Sequence, residues 1–249
     1  GLYGAATLGV LLRARGTLWL RPTGPPRWRA LVPVLRISGP ALLEKLIFHA
    51  AFLMFAALVG RLGDAAMTIN QVLIAIESVG FICANGFGVA AGALVAQRLG
   101  AARPRDATRC GWMSAWLGAL FLLLPALIFV CFSEACVAIF SDDPVVIRIG
   151  AECLRIAALA QPLMALSDAL AGALRGAGET RHPMLAALVG PALVRLSGCW
   201  LLAFEIGLGL PGIWIATTAD WAVRAVYLGL VFHAGGWRHS APIQFRVSR

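Results

Sequence analysis

AMTINQVLIAIESVGFICANGFGVAAGALVA, residues 66–96, decides the fold: 31 consecutive residues with a single charged side chain, Glu77. A helix rises about 1.5 Å per residue, so this run is more than long enough to cross the roughly 30 Å hydrocarbon core of a bilayer with some tilt. Outward from it lie five more apolar runs, at 33–60, 108–131, 145–172, 184–207 and 211–234, each of 24 residues or more. Of all 249 residues 60% are hydrophobic and 13% charged, with a mean hydropathy of +0.82, whereas a soluble domain carries about 25% charged residues. A soluble globular fold is excluded. An all-α polytopic membrane protein is expected, with a six-helix transmembrane lobe over residues 33–235. Residues 1–32 read as the tail of a truncated helix plus a basic cytoplasmic linker rich in Pro, Gly and Arg, and 236–249 as a basic cytoplasmic tail. The chain opens inside an apolar stretch without an initiator Met or a signal-peptide pattern, so a fragment lacking its upstream part is expected.

The net charge of +9 comes from arginines clustered between the apolar runs, which membrane topology explains without a nucleic-acid partner. Arg13, Arg15, Arg21, Arg27, Arg29 and Arg36 precede the first full span, and Arg98, Arg103, Arg105 and Arg109 surround the gap after the second. Arg175 and Arg181 lie in the gap after the fourth, and Arg238, Arg246 and Arg249 close the chain. The opposite loops hold Arg61 alone beside Asp64, Glu134, Asp142, Asp143 and Glu205. The positive-inside rule therefore places the linker and the C-terminus in the cytoplasm, as an even number of spans requires. The outer loop FSEACVAIFSDDP, residues 132–144, is expected to hold a short interfacial helix and to start the next span at Pro144. Trp221, Tyr227 and Trp237 suit an interfacial aromatic belt, with packing inside the bundle the alternative for Trp221. The six cysteines form no CxxC pair and lie far from histidines, so buried free thiols are expected rather than a metal or redox site.

Ionisable groups inside spans cost about 2.5–3.5 kcal/mol at a helix centre, which makes them the first candidates for function. Glu77 lies about 16 Å in from the outer end of its span, near the midplane, with Asn70 two turns earlier on the same face and Gln71 beside it. It can bind a proton or a cation, or it can serve as hydrogen-bonded glue between two helices. Glu44 sits four residues after Pro40, beside a broken helical ladder that suits a cation or proton site, but Lys45 next to it permits a structural ion pair instead. Asp168, with Gln161 two turns outward and Pro162 as a kink, is either a relay near the inner mouth or a solvated helix-end residue. Asp220 and Arg224, at i,i+4, neutralise one another, and Glu152 can pair with Arg148 or Arg155. Arg195 lacks an intrahelical partner and is expected to reach Asp220. No GxSxG, HExxH or P-loop pattern occurs, so neither an enzyme, a metal site nor a cofactor is expected beyond a coupling ion, H⁺ or Na⁺.

Two segments then resemble the multidrug and toxic compound extrusion (MATE) family. GFGVAAGALVAQRLGAARPRDA, residues 86–107, is similar to a Gly/Ala-rich helix end running into GQxLGAGRPxxA, with Ala96 where the family has Gly before Gln97 and Gly100 in register. ALAGALRGAGETRHPM, residues 169–184, resembles GxLRGxGDTRxPM, with Arg175, Gly176 and Gly178 in register and Glu179 for Asp. INQVLIAIESVGF, residues 69–81, looks like the family's stretch in which a polar residue and a Glu lie two turns apart. The resemblance implies the C-terminal lobe, spans seven to twelve, of an ion-coupled antiporter in a bacterial inner membrane. It also implies a cationic amphipathic drug or metabolite as substrate and a missing N-terminal lobe as partner in the lipid bilayer. The family's coupling acids in spans seven and ten fall in the spans of Glu44 and Asp168, each about one turn from the aligned position. A lipid or polysaccharide flippase of the same superfamily, supported by Arg148, Arg155 and Arg195, and a non-transporting scaffold subunit are the alternatives.

Overall fold

The computed structural model describes residues 42–43, 46–47 and 49–239, all within one unit, Gly39–Arg249. Glu44, Lys45 and the greater part of the run before His49 lie outside the described residues. The described chain is helical throughout its regular structure. Helix α1 covers His49–Gly60, α2 Asp64–Gly100, α3 Pro104–Cys131, α4 Ser133–Ala138, α5 Pro144–Gly176, α6 Arg181–Glu205 and α7 Gly209–Ala234. Five of these are long and apolar enough to cross a membrane, and each falls on an apolar run of the sequence. The expected interfacial helix is α4. Pro144 opens α5 behind Asp143, whose carboxylate accepts the Val145 N–H at 2.8 Å and caps the first turn.

Helix α5 is the most buried of the spans and packs against α2, α3 and α7. The core forms three clusters along the bundle. One joins Phe55, Leu73, Val137, Leu154 and Trp214, a middle one holds Ala84, Leu122, Met164 and Trp221, and the third joins Val95, Ala107, Leu174 and Phe232. The outside is apolar as well. Trp116, Leu120, Leu124 and Leu127 of α3 point away from the bundle, an arrangement that water would penalise and lipid accepts.

Helix α6 is continuous but carries two π-helical stretches, Val189–Arg195 and Leu201–Glu205, which the hydropathy pattern did not announce. Pro191, inside the first, removes a backbone donor from the ladder. Trp237 departs from the belt expectation. Gly235, at φ 75°, ends α7 and folds the chain back, so that Trp237 stacks on Phe232 and donates its indole N–H to the Phe232 carbonyl at 2.9 Å. Trp221 is buried, as its alternative reading had it. All six cysteines are free.

Candidate functional site

Around the middle cluster, α1, α2, α5, α6 and α7 line an open-sided cavity of about 200 Å³. Its walls are aromatic, from Phe52, Phe55, Phe81, Trp214 and Trp221, with Ile74 and Met164. Among the described residues two charges face it, Glu77 from α2 and Arg195 from α6. Gln161 of α5, fully buried, donates its amide N–H to Glu77 Oε1 at 3.3 Å, so two residues 84 positions apart meet. Trp214 Nε1 is buried and has no hydrogen-bond partner among the described residues. An apolar aromatic box with a few convergent polar groups is the usual form of a small-molecule site.

Arg195 donates from Nε to Asp220 Oδ2 at 2.9 Å and stands 2.8 Å from it through Nη2; Arg224 Nη2 reaches the same oxygen at 3.1 Å, and its Nε lies 2.9 Å from Oδ1. Asp220 is fully buried, a position a carboxylate tolerates only when paired. The Arg224 guanidinium lies over the Trp221 ring, 3.6 Å from its centre, and Arg195 lies between Phe55 and Trp221 at 5.8 and 5.9 Å. Both sequence expectations for these three residues hold. Arg155, by contrast, pairs across to Glu134 at 3.3 Å rather than with Glu152.

Asp168 lies on a second, polar cavity of about 80 Å³ with Asn85, Ser167, Arg175 and Arg224, and Phe81 and Trp221 line both cavities. Beside it α2 and α5 run parallel and almost touch: a Cβ on Gly88 would stand 2.8 Å from the Asp168 carbonyl oxygen, and one on Gly92 2.9 Å from that of Gly172. Gly80 makes room for the Gln161 side chain in the same way. The remaining candidates separate. Asn70 is buried, its Oδ1 without a partner among the described residues. Gln71 is exposed, its amide 4.0 Å from Met67 Sδ, because one residue along a helix turns the side chain about 100°. Neither lines the aromatic cavity.

The two loop motifs are helix stops. After α5, Gly178 takes φ 83°, its N–H donates to the Arg175 carbonyl at 3.0 Å, and the Glu179 N–H donates to that of Leu174 at 2.9 Å. This is a Schellman turn, and it requires a left-handed residue at that place. Glu179 Oε1 then accepts the Arg181 N–H at 2.9 Å and helps start α6. After α2, Gly100 and Gln97 precede the same turn: the Ala102 N–H donates to Leu99 and the Arg103 N–H to Arg98, both at 2.9 Å. Ala102 occupies the left-handed position, φ 56°, where the family pattern GAGRP places glycine.

These features define a multi-pass helical membrane lobe built around an amphipathic cavity. The chain belongs to the MatE family, whose profile matches residues 40–201. Over 242 residues it is 31% identical to the probable multidrug resistance protein NorM of Thermotoga maritima, covering 96% of this chain and 52% of that protein. The eukaryotic MATE transporter AtDTX14 superposes on 96% of this chain and 54% of its own, with a TM-score of 0.84 at 21% identity. A MOP superfamily transporter from Pyrococcus furiosus, described as having a binding pocket of reverse polarity, covers 79% and 43% with a TM-score of 0.67 at 18% identity. The two structural likenesses speak for the fold alone. The chain spans about half the length of the curated relatives it matches.

Proposed function

We propose that this chain is the C-terminal lobe of an ion-coupled antiporter that exports cationic amphipathic drugs or metabolites by alternating access. The carrying observation is the aromatic cavity with Glu77 on its wall, held by Gln161. Aromatic faces attract organic cations, and a carboxylate in a water-poor site adds charge recognition. Glu77 is the shared site of substrate and coupling ion, H⁺ or Na⁺, and Gln161 orients it. Glu44, Asp168, Asn70 and Gln71 act as secondary sites, Asp168 at the polar cavity. The membrane potential supplies about 2.3 kcal/mol per charge per 100 mV to such exchange. The setting is a bacterial inner membrane with the C-terminus cytoplasmic and an N-terminal lobe across the cavity.

The test is ethidium efflux from sealed vesicles holding the complete protein, under an imposed proton or sodium gradient. Gradient-driven efflux that Glu77→Gln abolishes is expected; full efflux in the variant would reduce Glu77 to structural glue. A second reading, transport of an anionic lipid, is favoured by Arg195 on the same wall. It predicts no ethidium efflux and movement of a fluorescent anionic lipid instead.

A further inference from the structure

We propose that the surplus positive charge of the Arg195–Asp220–Arg224 cluster turns protonation of Glu77 into ejection of a cationic ligand. The proposal rests on the cavity reading above and adds three residues to its working parts. Asp220 is one carboxylate shared by two guanidiniums, at 2.8–3.1 Å. The cluster therefore carries one net positive charge beside the cavity: Arg195 faces it, and Arg224, stacked on the Trp221 ring that lines it, itself lines the polar cavity with Asp168 and Arg175.

With Glu77 ionised, the wall sums to zero and its carboxylate holds a cation locally. A proton taken up from the more acidic side adds to one Glu77 oxygen, and the wall becomes net positive. The bound cation is then repelled as well as released. With only one arginine beside Asp220, the same proton would remove an attraction and create no repulsion. Among the described residues, the other groups facing Glu77 do not alter this count. Phe52 and Phe55 come from α1, Ser78 from α2, Gln161 and Met164 from α5, and Trp214 and Thr217 from α7, none of them charged. Asp168 and Arg175 face the neighbouring cavity with opposite charges. Glu44 and Lys45, adjacent and of opposite sign, lie outside the described residues.

The experiment is ethidium titration of the complete protein in lipid nanodiscs, followed by fluorescence between alkaline and mildly acidic pH. The unaltered protein is expected to lose affinity as pH falls. Arg224→Gln leaves Asp220 held by Arg195 and keeps an amide over Trp221, so the cluster becomes neutral without an orphaned carboxylate. At acidic pH it is expected to bind ethidium about tenfold more tightly than the unaltered protein, the effect of one unit charge at about 10 Å in a medium of dielectric about 20. Arg224→Lys is expected to track the unaltered protein. Asp220→Asn adds a positive charge and is expected to weaken binding at every pH by about the same factor. Damage to packing would move Arg224→Gln and Asp220→Asn in one direction, and that result, or an unchanged Arg224→Gln profile, overturns the proposal while leaving the cavity reading intact. No ethidium binding by the unaltered protein overturns both.

Discussion

Placing a methyl group on Gly172 tests the closest approach in the bundle. A Cβ there would overlap the carbonyl oxygen of Gly88, and Gly176, one turn on, is only slightly less crowded against the carbonyl oxygen of Gly92. The obstacle is backbone in the middle of a helix, so it cannot rotate aside; α2 or α5 must shift. Overpacking of a well-filled core costs about 1–3 kcal/mol, and a backbone collision belongs at the upper end. Alanine recovers about 1 kcal/mol of helix propensity over glycine, which leaves Gly172→Ala about 2 kcal/mol less stable. Each kcal/mol moves the midpoint of a chain of this size by about 2–4 °C, so Tm is expected to fall by about 6 °C. Gly86→Ala, on the facing helix α2, is the control. Nothing lies within 4 Å of its added Cβ, and only the propensity gain remains, raising Tm by about 3 °C. The assay is thermal unfolding of the purified protein in detergent, followed by loss of helical signal. If Gly172→Ala melts at or above the unaltered protein, the two helices are not in contact and the reasoning fails.

Other outcomes are specific enough to check in the same preparation. Ala102→Gly relieves a left-handed alanine, φ 56°, and is expected to stabilise the protein by about 1 kcal/mol, read as a rise in Tm. Trp237→Ala removes the stack on Phe232 and the indole hydrogen bond, at a cost of about 3 kcal/mol, with earlier melting and faster proteolysis after Ala234. Burial raises the Cys136 thiol above its ordinary pKa, so its thiolate fraction at neutral pH is reduced. Maleimide labelling at Cys136 should be slow at neutral pH and accelerate as pH rises through the raised value; equal rates at neutral and alkaline pH would contradict that environment.

Hydropathy and arginine placement made the spans legible because a bilayer penalises charge everywhere along a helix at once. The Ser-Asp-Asp-Pro cap at 141–144 made the start of α5 legible to the residue. The pairing of Arg195 with Asp220 followed from elimination, since an arginine in a span must find an acid. Arg155 escaped the same logic because its side chain is exposed, where i,i+3 spacing to Glu152 carries little weight against Glu134 on the neighbouring helix α4. Glu77 and Gln161 each stood out alone, but no spacing rule joins residues on different helices; the signal lay in two lone polar groups at similar depth. The glycines along α2 and α5 were visible as composition, and their function as paired notches was not, because it depends on the parallel setting of those helices.

The two π stretches of α6 fix chain length as well as the residues, such as Gly190 and Arg195, that meet Asp220. Each holds one residue more than an α-helical turn would, and one residue is worth about 100° of rotation. Deleting any one residue between Val189 and Arg195 would regularise that stretch and keep its hydropathy. It would also swing Arg195 about a quarter turn from Asp220 and present a guanidinium to lipid. The bulge thus acts as a spacer, and single-residue insertions or deletions in this segment should be tolerated far less than substitutions at its outward-facing Leu193.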